Sequence, residues 1–435
     1  MRAGATGFGP FVARARAAGT LVVQPRMGMS DPAAMRAGLL ATRSAAATTV
    51  GTITLDSYTR TGEGAAARRA LAEGVGLNGY PITSHRPGVT GAVLRGVADA
   101  AFPVQVRHGS ARPEKIFAAL LAAGLHATEG GPVSYCLPYS RTPLREAVAS
   151  WKRCCELLAA SRGQGVDPQA EPHLETFGGC MMGQLCPPGL LIAISVLEGL
   201  FFRQNGLRSI SLSYAQQAST SQDEEAVTAL HRLAAEHLPD VDRHVVIYTY
   251  MGVYPQSPGG AQLLLDEAAR LAVRTGAARL IVKTTAEAYR IPTVTENVRA
   301  LESAAAVAAG ESRRPPAAPV ADTGIHAEAS ALVEAVLGLD PDVGRALVLA
   351  FARGYLDVPY CLHPDNAGRA RSRLDADGRL HWSDPGSMPV AHTGRTGRAP
   401  ALTSTELLGA LSHVQRTYDR RAFRTPVAAG LTASR

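Results

Sequence analysis

Short runs of β-branched and aromatic residues alternate with longer amphipathic segments rich in Ala and Leu between about residues 20 and 300. The clearest example lies near residue 270. Leu264, Ala268 and Leu271 share one helical face, Gly276 suits a left-handed helix end, and Leu280 opens the next apolar run. Strands that alternate with helices predict a parallel sheet, because each parallel return requires a crossover connection.

Nine such runs are predicted as strands. They are Thr20–Gln24, Thr49–Leu55, Gly76–Ile82, Phe102–Val106, the less regular Thr128–Tyr135, Glu175–Gly178, Ser209–Tyr214, His244–Tyr250 and Arg279–Lys283. Eight or nine repeats favour an α/β fold of the (β/α)8 TIM-barrel type over a doubly wound sheet. A barrel of this type has eight strands, so one of the nine runs is expected to be wrong or to lie outside it.

The repeating pattern divides the chain into three parts. We expect the catalytic barrel to occupy residues 1–300. A stretch rich in Ala, Pro and Arg follows, which predicts a linker or surface excursion over residues 301–326. Residues 327–435 begin with a helical pattern and continue with Gly, Pro, Asp and Arg, and they are predicted to form a helical and irregular C-terminal extension packed on the barrel.

Composition excludes several classes of protein. Hydrophobic residues make up 46% and charged residues 19%, which allows a sizeable core and excludes a disordered chain. No apolar run has the length of a membrane span, and the first residues do not resemble a signal peptide, so a cytoplasmic protein is expected. The six cysteines contain no CxxC pair and are expected to be reduced. The net charge of +7 comes from scattered Arg rather than a basic tract, which argues against nucleic-acid binding.

Charged and aromatic residues stand where the predicted strands end, which is where TIM barrels place their reactive groups. Arg26, Arg60 and Arg107 follow the first, second and fourth runs. Guanidinium groups bind carboxylates bidentately, so three of them on one rim favour a small substrate with two carboxylates. The alternative is that they cap helices or pair with neighbouring acids. Glu129, beside two glycines, suits a base or an ammonium acceptor, although such a residue taken alone is more often a loop carboxylate.

Two further pairs of residues are each open to a functional and a structural interpretation. Tyr135 and Tyr139 are four residues apart and either line a pocket or pack in the core. Lys283 and Glu287 could hold the two hydroxyls of a ribose, or form an ordinary ion pair at a helix start. The sequence has no glycine-rich phosphate loop, nucleophile elbow or metal-ligand cluster, so no metal site is predicted.

Taken together, these segments resemble one family. The strings in question are PRMG, DSYTR, LNGYP, RHG, EGGPVSY, PYSR, YMGVYP and IVKTxxEAxRIPT, in one order between about Thr20 and Thr293. A looser match, Asn366-Ala367-Gly368, follows within the segment 354–368. The set is similar to the epsilon subunit of glutamate mutase, also called methylaspartate mutase.

The resemblance implies a (β/α)8 barrel that uses adenosylcobalamin to interconvert L-glutamate and (2S,3S)-3-methylaspartate by radical fragmentation and recombination. It implies a catalytic role for Glu129 near the substrate amine. The substrate residues that it implies are Arg26, Arg60, Arg107, His108, Glu129, Tyr135 and Tyr139. The cofactor residues that it implies are Gly28, Asn78, Pro138, Tyr254, Lys283, Glu287 and Ile291.

The resemblance also implies a partner. The chain has no Asp-x-His-x-x-Gly motif, through which the small sigma subunit of the family ligates cobalt. We therefore expect a cobalamin-binding small subunit over the barrel mouth, in a heterotetramer of two large and two small subunits. Two alternatives stay open: a related adenosylcobalamin mutase acting on a different dicarboxylic amino acid, and a non-catalytic barrel that binds an acidic ligand.

Overall fold

Eight parallel strands form the centre of the computed structural model, which describes residues 6–164, 169–181, 184–314, 320–390 and 403–424. The strands are β1 (Val22–Pro25), β2 (Gly51–Thr54), β3 (Val104–Arg107), β4 (Ala127–Glu129), β5 (His173–Glu175), β6 (Ser209–Ala215), β7 (Asp242–Tyr248) and β8 (Arg279–Val282). Their order is β1-β8-β7-β6-β5-β4-β3-β2. The amide of Val23 donates to the carbonyl of Thr48 (2.9 Å) and that of Thr54 to Met27 (2.8 Å), which joins β1 to β2. The predicted (β/α)8 barrel is confirmed.

Helices surround this barrel, and at least one follows each strand. They are α1 (Phe8–Ala17), α2 (Pro32–Arg43), α3 (Ser57–Thr61), α4 (Gly64–Ala72), α5 (Pro87–Leu94), α6 (Glu114–Ala122), α7 (Leu144–Ala160), α8 (Pro188–Gln204), α9 (Thr220–His237), α10 (Pro258–Arg274) and α11 (Val294–Glu311). Side-chain caps begin several of them: Asp31 accepts from Ala34 N before α2, and Thr293 forms a capping box with Glu296 before α11.

Three of the nine predicted strands need correction. The segment Gly76–Ile82 is wrong as a strand, because Tyr80 makes only an isolated bridge to Leu55. Pro81 has no N–H to donate to a ladder, and the chain bends at Asn78 and Gly79 before it. The run Thr128–Tyr135 is a strand only at its start, since Gly130 turns the chain with φ of 122°. The predicted strand Glu175–Gly178 starts too late, because β5 ends at Glu175 and a 3-10 helix occupies Gly178–Cys180.

The C-terminal extension is more regular than predicted. It contains α12 (Ile325–Leu337), α13 (Val343–Arg353), the antiparallel pair β9 (Arg371–Leu374) and β10 (Leu380–Asp384), then α14 (Ser404–Leu411) and α15 (His413–Arg424). α12 packs on α8 and α9, and α13 on α7 and α8. The predicted linker over 301–326 begins inside a helix, since α11 runs to Glu311, and its residues 315–319 lie outside the described residues. Among the described helices, none combines the length and apolarity needed to cross a membrane.

The interior of the barrel is polar at its floor. Alternate strand residues point inward, which places Gln24, Gln105, Glu175 and Arg279 in one connected layer. The amide of Gln24 donates to Gln105 Oε1 (2.9 Å), and that of Gln105 donates to Glu175 Oε2 (3.2 Å). Arg279, fully buried, is ion-paired with Glu175 and also bonds to Gln24. Buried charges are tolerated when they are fully paired, so this layer supports the residues above it.

Candidate active site

Arg107 and Glu129 form a buried ion pair above the floor, at the carboxyl ends of β3 and β4. Arg107 Nη2 lies 3.1 Å from Glu129 Oε2, and the two side chains are 5% and 1% exposed. The hydroxyl of Tyr135 donates to Glu129 Oε1. Burial raises the pKa of Glu129, while Arg107 and the Tyr135 hydroxyl oppose this rise. The Glu129 carboxylate is therefore held by bonds on both of its oxygens.

Tyr248 links this ion pair to the floor of the barrel. Its hydroxyl lies 3.0 Å from Glu129 Oε2 and also contacts Glu175. The guanidinium of Arg107 lies over the Tyr248 ring, 4.8 Å from its centroid. Tyr248 of β7 thus helps to orient Glu129 from the floor side of the barrel. Tyr248 also contacts Glu175, so the Arg279–Glu175 pair supports this orientation.

Three side chains at the barrel mouth keep hydrogen-bond donors without a partner among the described residues. Arg107 Nη1 and His108 Nε2 are buried and unbonded. His108 Nδ1 accepts from Ser110 N (3.1 Å), so the ring proton is on Nε2. Burial lowers the pKa of His108 to about 3, against the opposing effect of the Glu129 backbone and with Arg107 and Arg60 contributing, so its ring is neutral. Arg60 is exposed, lies beside Gly109, and has no bonded partner in the described ranges. We call Arg60, Arg107 and His108 the free-donor cluster.

Aromatic rings hold the free-donor cluster in place. The His108 ring stacks on Trp151 at 5.6 Å and meets Tyr135 edge-on at 5.2 Å. A Cβ at Gly130 would lie 2.4 Å from the Tyr135 ring, so only glycine allows this packing. Tyr139 is half exposed, with its ring 5.9 Å from that of Tyr135. Of the two predicted pocket tyrosines, Tyr135 is therefore buried and bonds Glu129, whereas Tyr139 lies at the mouth.

A second ion-paired group lies in the loop after β8. Lys283 Nζ is 2.9 Å from Glu287 Oε1, and Arg26 Nη1 is 3.4 Å from the same oxygen. Lys283 is 5.0 Å from the centroid of Tyr254. Burial lowers the pKa of Lys283 to about 8, against the opposing effect of Glu287. The pair is not at a helix start, since α11 begins only at Val294.

A cavity of about 440 Å³ opens beside this ion pair. It is lined by Arg26, Met251, Gly252, Val253, Tyr254, Gln256, Lys283, Glu287, Ala288 and Gln415. Arg26 connects this cavity to Tyr139 at the mouth. Its guanidinium bonds Glu287. Its charge also lowers the pKa of Tyr139, although burial has the larger effect and raises that pKa. The barrel mouth thus contains a free-donor cluster on one side and a polar cavity on the other.

Comparison with known proteins assigns the family. The sequence profile described as "Methylaspartate mutase E chain" matches residues 5–400. The chain belongs to the methylaspartate mutase E chain family. Among its similar relatives are three proteins named glutamate mutase epsilon subunit. They are from Escherichia coli O157:H7 (30% identical over 354 residues, 78% of this chain and 72% of the relative), Halobacterium salinarum (32% over 357 residues, 78% and 71%) and Desulfitobacterium hafniense (30% over 359 residues, 78% and 72%).

The other residues that the resemblance to the methylaspartate mutase E chain family predicted as cofactor contacts are spread around the mouth. Asn78 Oδ1 accepts from Ser57 N (2.9 Å) in the loop after β2. Gly28 lets the chain approach β2, since a Cβ there would be 2.1 Å from the carbonyl oxygen of Thr54. Pro138 is half-buried after β4, and Ile291 is 70% exposed after β8. Among the described residues, no hydrogen bond joins these four to Lys283 or Glu287.

Sequence reasoning missed Glu198, which holds two loops of the site. This buried carboxylate on α8 accepts from the amides of Ser134 (2.9 Å) and Gly178 (2.9 Å), and from the Ser134 hydroxyl (3.0 Å). It therefore fixes the loop that carries Tyr135 against the loop after β5. A lone acid within the apolar run LLIAISVLEGLFF was the available signal.

Tyr248, Glu175 and Arg279 were also missed. Glu175 and Tyr248 were visible only as polar residues in strand-like runs, and nothing local indicated that they meet across the barrel. Within the described ranges, no group of three or more His, Cys, Asp or Glu side chains could hold a metal ion. All six cysteines, which were expected to be reduced, are free, and all are buried.

Proposed function

We propose that this chain is the catalytic subunit of an adenosylcobalamin-dependent mutase that interconverts L-glutamate and (2S,3S)-3-methylaspartate. The observation that carries the proposal is the free-donor cluster beside Glu129, whose carboxylate is oriented by bonds on both oxygens. An unbonded buried donor costs about 1–3 kcal/mol, and a ligand carboxylate removes that cost. The family supports the reaction, since the chain matches the methylaspartate mutase E chain over residues 5–400.

The substrate carboxylates are the groups that the free-donor cluster suits. Arg107 Nη1, His108 Nε2 and the Arg60 guanidinium offer donors, and Arg26 adds a half-exposed guanidinium at the same mouth. Each charge-assisted hydrogen bond contributes roughly 1.5–3 kcal/mol. Because His108 is neutral, it donates without adding charge, which leaves the arginines to balance two carboxylates. Glu129 is the acceptor for the substrate ammonium group and the candidate base.

The cavity beside Lys283 and Glu287 fits the adenosyl part of the cofactor. Lys283 Nζ can donate to a ribose hydroxyl and Glu287 can accept from one, and both line the cavity. Gly28, Asn78, Pro138, Tyr254 and Ile291 are the further proposed contacts. When bound, adenosylcobalamin supplies the hydrogen-abstraction chemistry that amino-acid side chains lack. The chain itself binds and orients the substrate and shields it from water.

A small partner subunit carrying Asp-x-His-x-x-Gly is proposed to cover the mouth and to supply the cobalt ligand, in a heterotetramer with two copies of each chain. Support comes from apolar side chains left exposed in α3, which follows β2, and in the loops after β4, β7 and β8. They are Tyr58, Tyr139, Val253, Tyr289 and Ile291, between 37% and 70% exposed. Exposed apolar patches of this kind mark surfaces that bind a partner or a large ligand.

The free cysteines support a reducing compartment, which we propose is the cytoplasm.

The test mixes the protein with the small subunit, adenosylcobalamin and L-glutamate. We expect a new methyl doublet in the proton NMR spectrum, absent when the chain is omitted. Wild-type protein without any product signal would contradict the proposal. An organic-radical EPR signal with some other dicarboxylic amino acid alone would indicate a related mutase. Binding of dicarboxylates without turnover would indicate a binding barrel.

A further inference from the structure

The C-terminal helix α15 packs against the loop that carries Tyr254. Val414 and Tyr418 of α15 are buried in one cluster with Tyr250, Tyr254 and Leu264. The family match ends at residue 400, so α15 lies beyond it. The family features of the site therefore do not account for this helix.

Asp419 of α15 binds the end of that loop. Its Oδ1 accepts from Ser257 N (2.8 Å) and Ser257 Oγ (2.6 Å), and its Oδ2 accepts from Gln256 N (3.0 Å). The Gln256 carbonyl in turn accepts from the hydroxyl of Tyr289 in the loop after β8. Asp419 thus ties both loops beside the cavity to the C-terminal helix.

Two glycines in the barrel sequence make room for this contact. A Cβ on Gly260 would lie 2.7 Å from Asp419 Oδ1, and a Cβ on Gly259 would lie 3.3 Å from the Cβ of Ala422. A larger residue at 260 would push the helix away. The start of α10 therefore provides a surface on which α15 packs.

Gln415, one turn before Asp419, lines the same cavity as Lys283 and Glu287. We infer that α15 is a functional part of the cavity wall. Asp419 is a positioning residue for the loop that carries Tyr254. Gln415 is a further polar contact for the bound adenosyl group. The role of Gln415 rests on the proposed function, whereas the role of Asp419 does not.

The first measurement is amide hydrogen exchange over residues 250–257 in the full chain. Asp419→Ala should accelerate exchange there by about tenfold, because it removes three hydrogen bonds that hold the loop. Asp419→Asn should restore part of the protection, since its amide oxygen can still accept from Ser257. Arg420→Ala is the control, because that exposed side chain bonds only the carbonyl of Arg416 among the described residues. Unchanged exchange in Asp419→Ala would overturn the positioning role.

The second measurement compares adenosylcobalamin with methylcobalamin, both in the presence of the small subunit. Gln415→Ala should weaken adenosylcobalamin about 3–10-fold, as the loss of one hydrogen bond predicts, and leave methylcobalamin unchanged. Equal adenosylcobalamin affinities in the wild type and in Gln415→Ala would overturn the Gln415 contact. A wild type that binds no adenosylcobalamin would overturn the proposed function and the Gln415 contact together, while the exchange experiment still decides Asp419.

Discussion

Two arginine–glutamate pairs lie one layer apart in the barrel, and they differ in how completely they are bonded. At the floor, Arg279 bonds Glu175, Gln24 and Ser211, and its side chain is fully buried. At the mouth, Arg107 bonds Glu129 through Nη2, while Nη1 has no partner among the described residues. The floor pair thus uses every donor nitrogen of its arginine, whereas the mouth pair leaves one nitrogen over, which the proposed function assigns to the substrate.

The largest effect should come from breaking the floor. Arg279→Met leaves Glu175 charged and buried without its partner, which should destabilise the protein by about 3–5 kcal/mol. Denaturant unfolding of the full chain measures this loss. The double variant with Glu175→Gln should recover part of it, because the unpaired charge is gone. Arg290→Met, which alters an exposed pair, is the control and should leave the midpoint unchanged. A stable single variant would show that the floor pair does not support the barrel.

At the mouth, substitution should reduce catalysis more than stability. Arg107→Lys can keep the ion pair with Glu129 but loses the planar second nitrogen, so kcat/KM should fall by roughly 10–1000-fold. The thermal midpoint should change little, which separates this variant from Arg279→Met. Wild-type turnover in Arg107→Lys would exclude Arg107 from substrate binding.

Tyr248 joins the two pairs, so its removal tests their coupling. Tyr248→Phe takes a hydrogen bond from the Glu129 carboxylate, which disfavours the ionised form and raises a pKa that burial already raises. The acid limb of the pH profile of kcat/KM should move to higher pH by up to about one unit. An unmoved acid limb would mean that Glu129 is not the group titrating.

The smallest effect concerns the ion pair beside the cavity. Because the pKa of Lys283 is lowered to about 8, its ammonium loses a proton above that pH and the bond to Glu287 weakens. Affinity for adenosylcobalamin should therefore fall about 3–10-fold between pH 7 and pH 9, which corresponds to one hydrogen bond. Lys283→Arg stays charged, so its affinity should be independent of pH in this range. A flat wild-type profile would contradict the role of Lys283.

Local sequence patterns were sufficient to predict the barrel and much of its rim. The alternation of apolar runs with amphipathic segments predicted the parallel barrel, because each repeat has to bury its own face. The positions of Arg26 and Arg107 at strand ends followed from the same pattern. The pattern failed at Gly76–Ile82, where hydrophobicity resembled a strand but Pro81 and the preceding bend prevented pairing beyond one bridge.

Long-range contacts could not be read from the chain in this way. Tyr248 and Glu129 are 119 residues apart, and Asp419 and Ser257 are 162 apart. Periodicity reports which face a residue occupies within its own element, whereas partners across the barrel depend on strand order and closure. The chain alone thus indicated which residues reach the mouth. Only the folded barrel decided which donors are used up in ion pairs, which stay free for a ligand, and that a helix near the end of the chain completes the cavity.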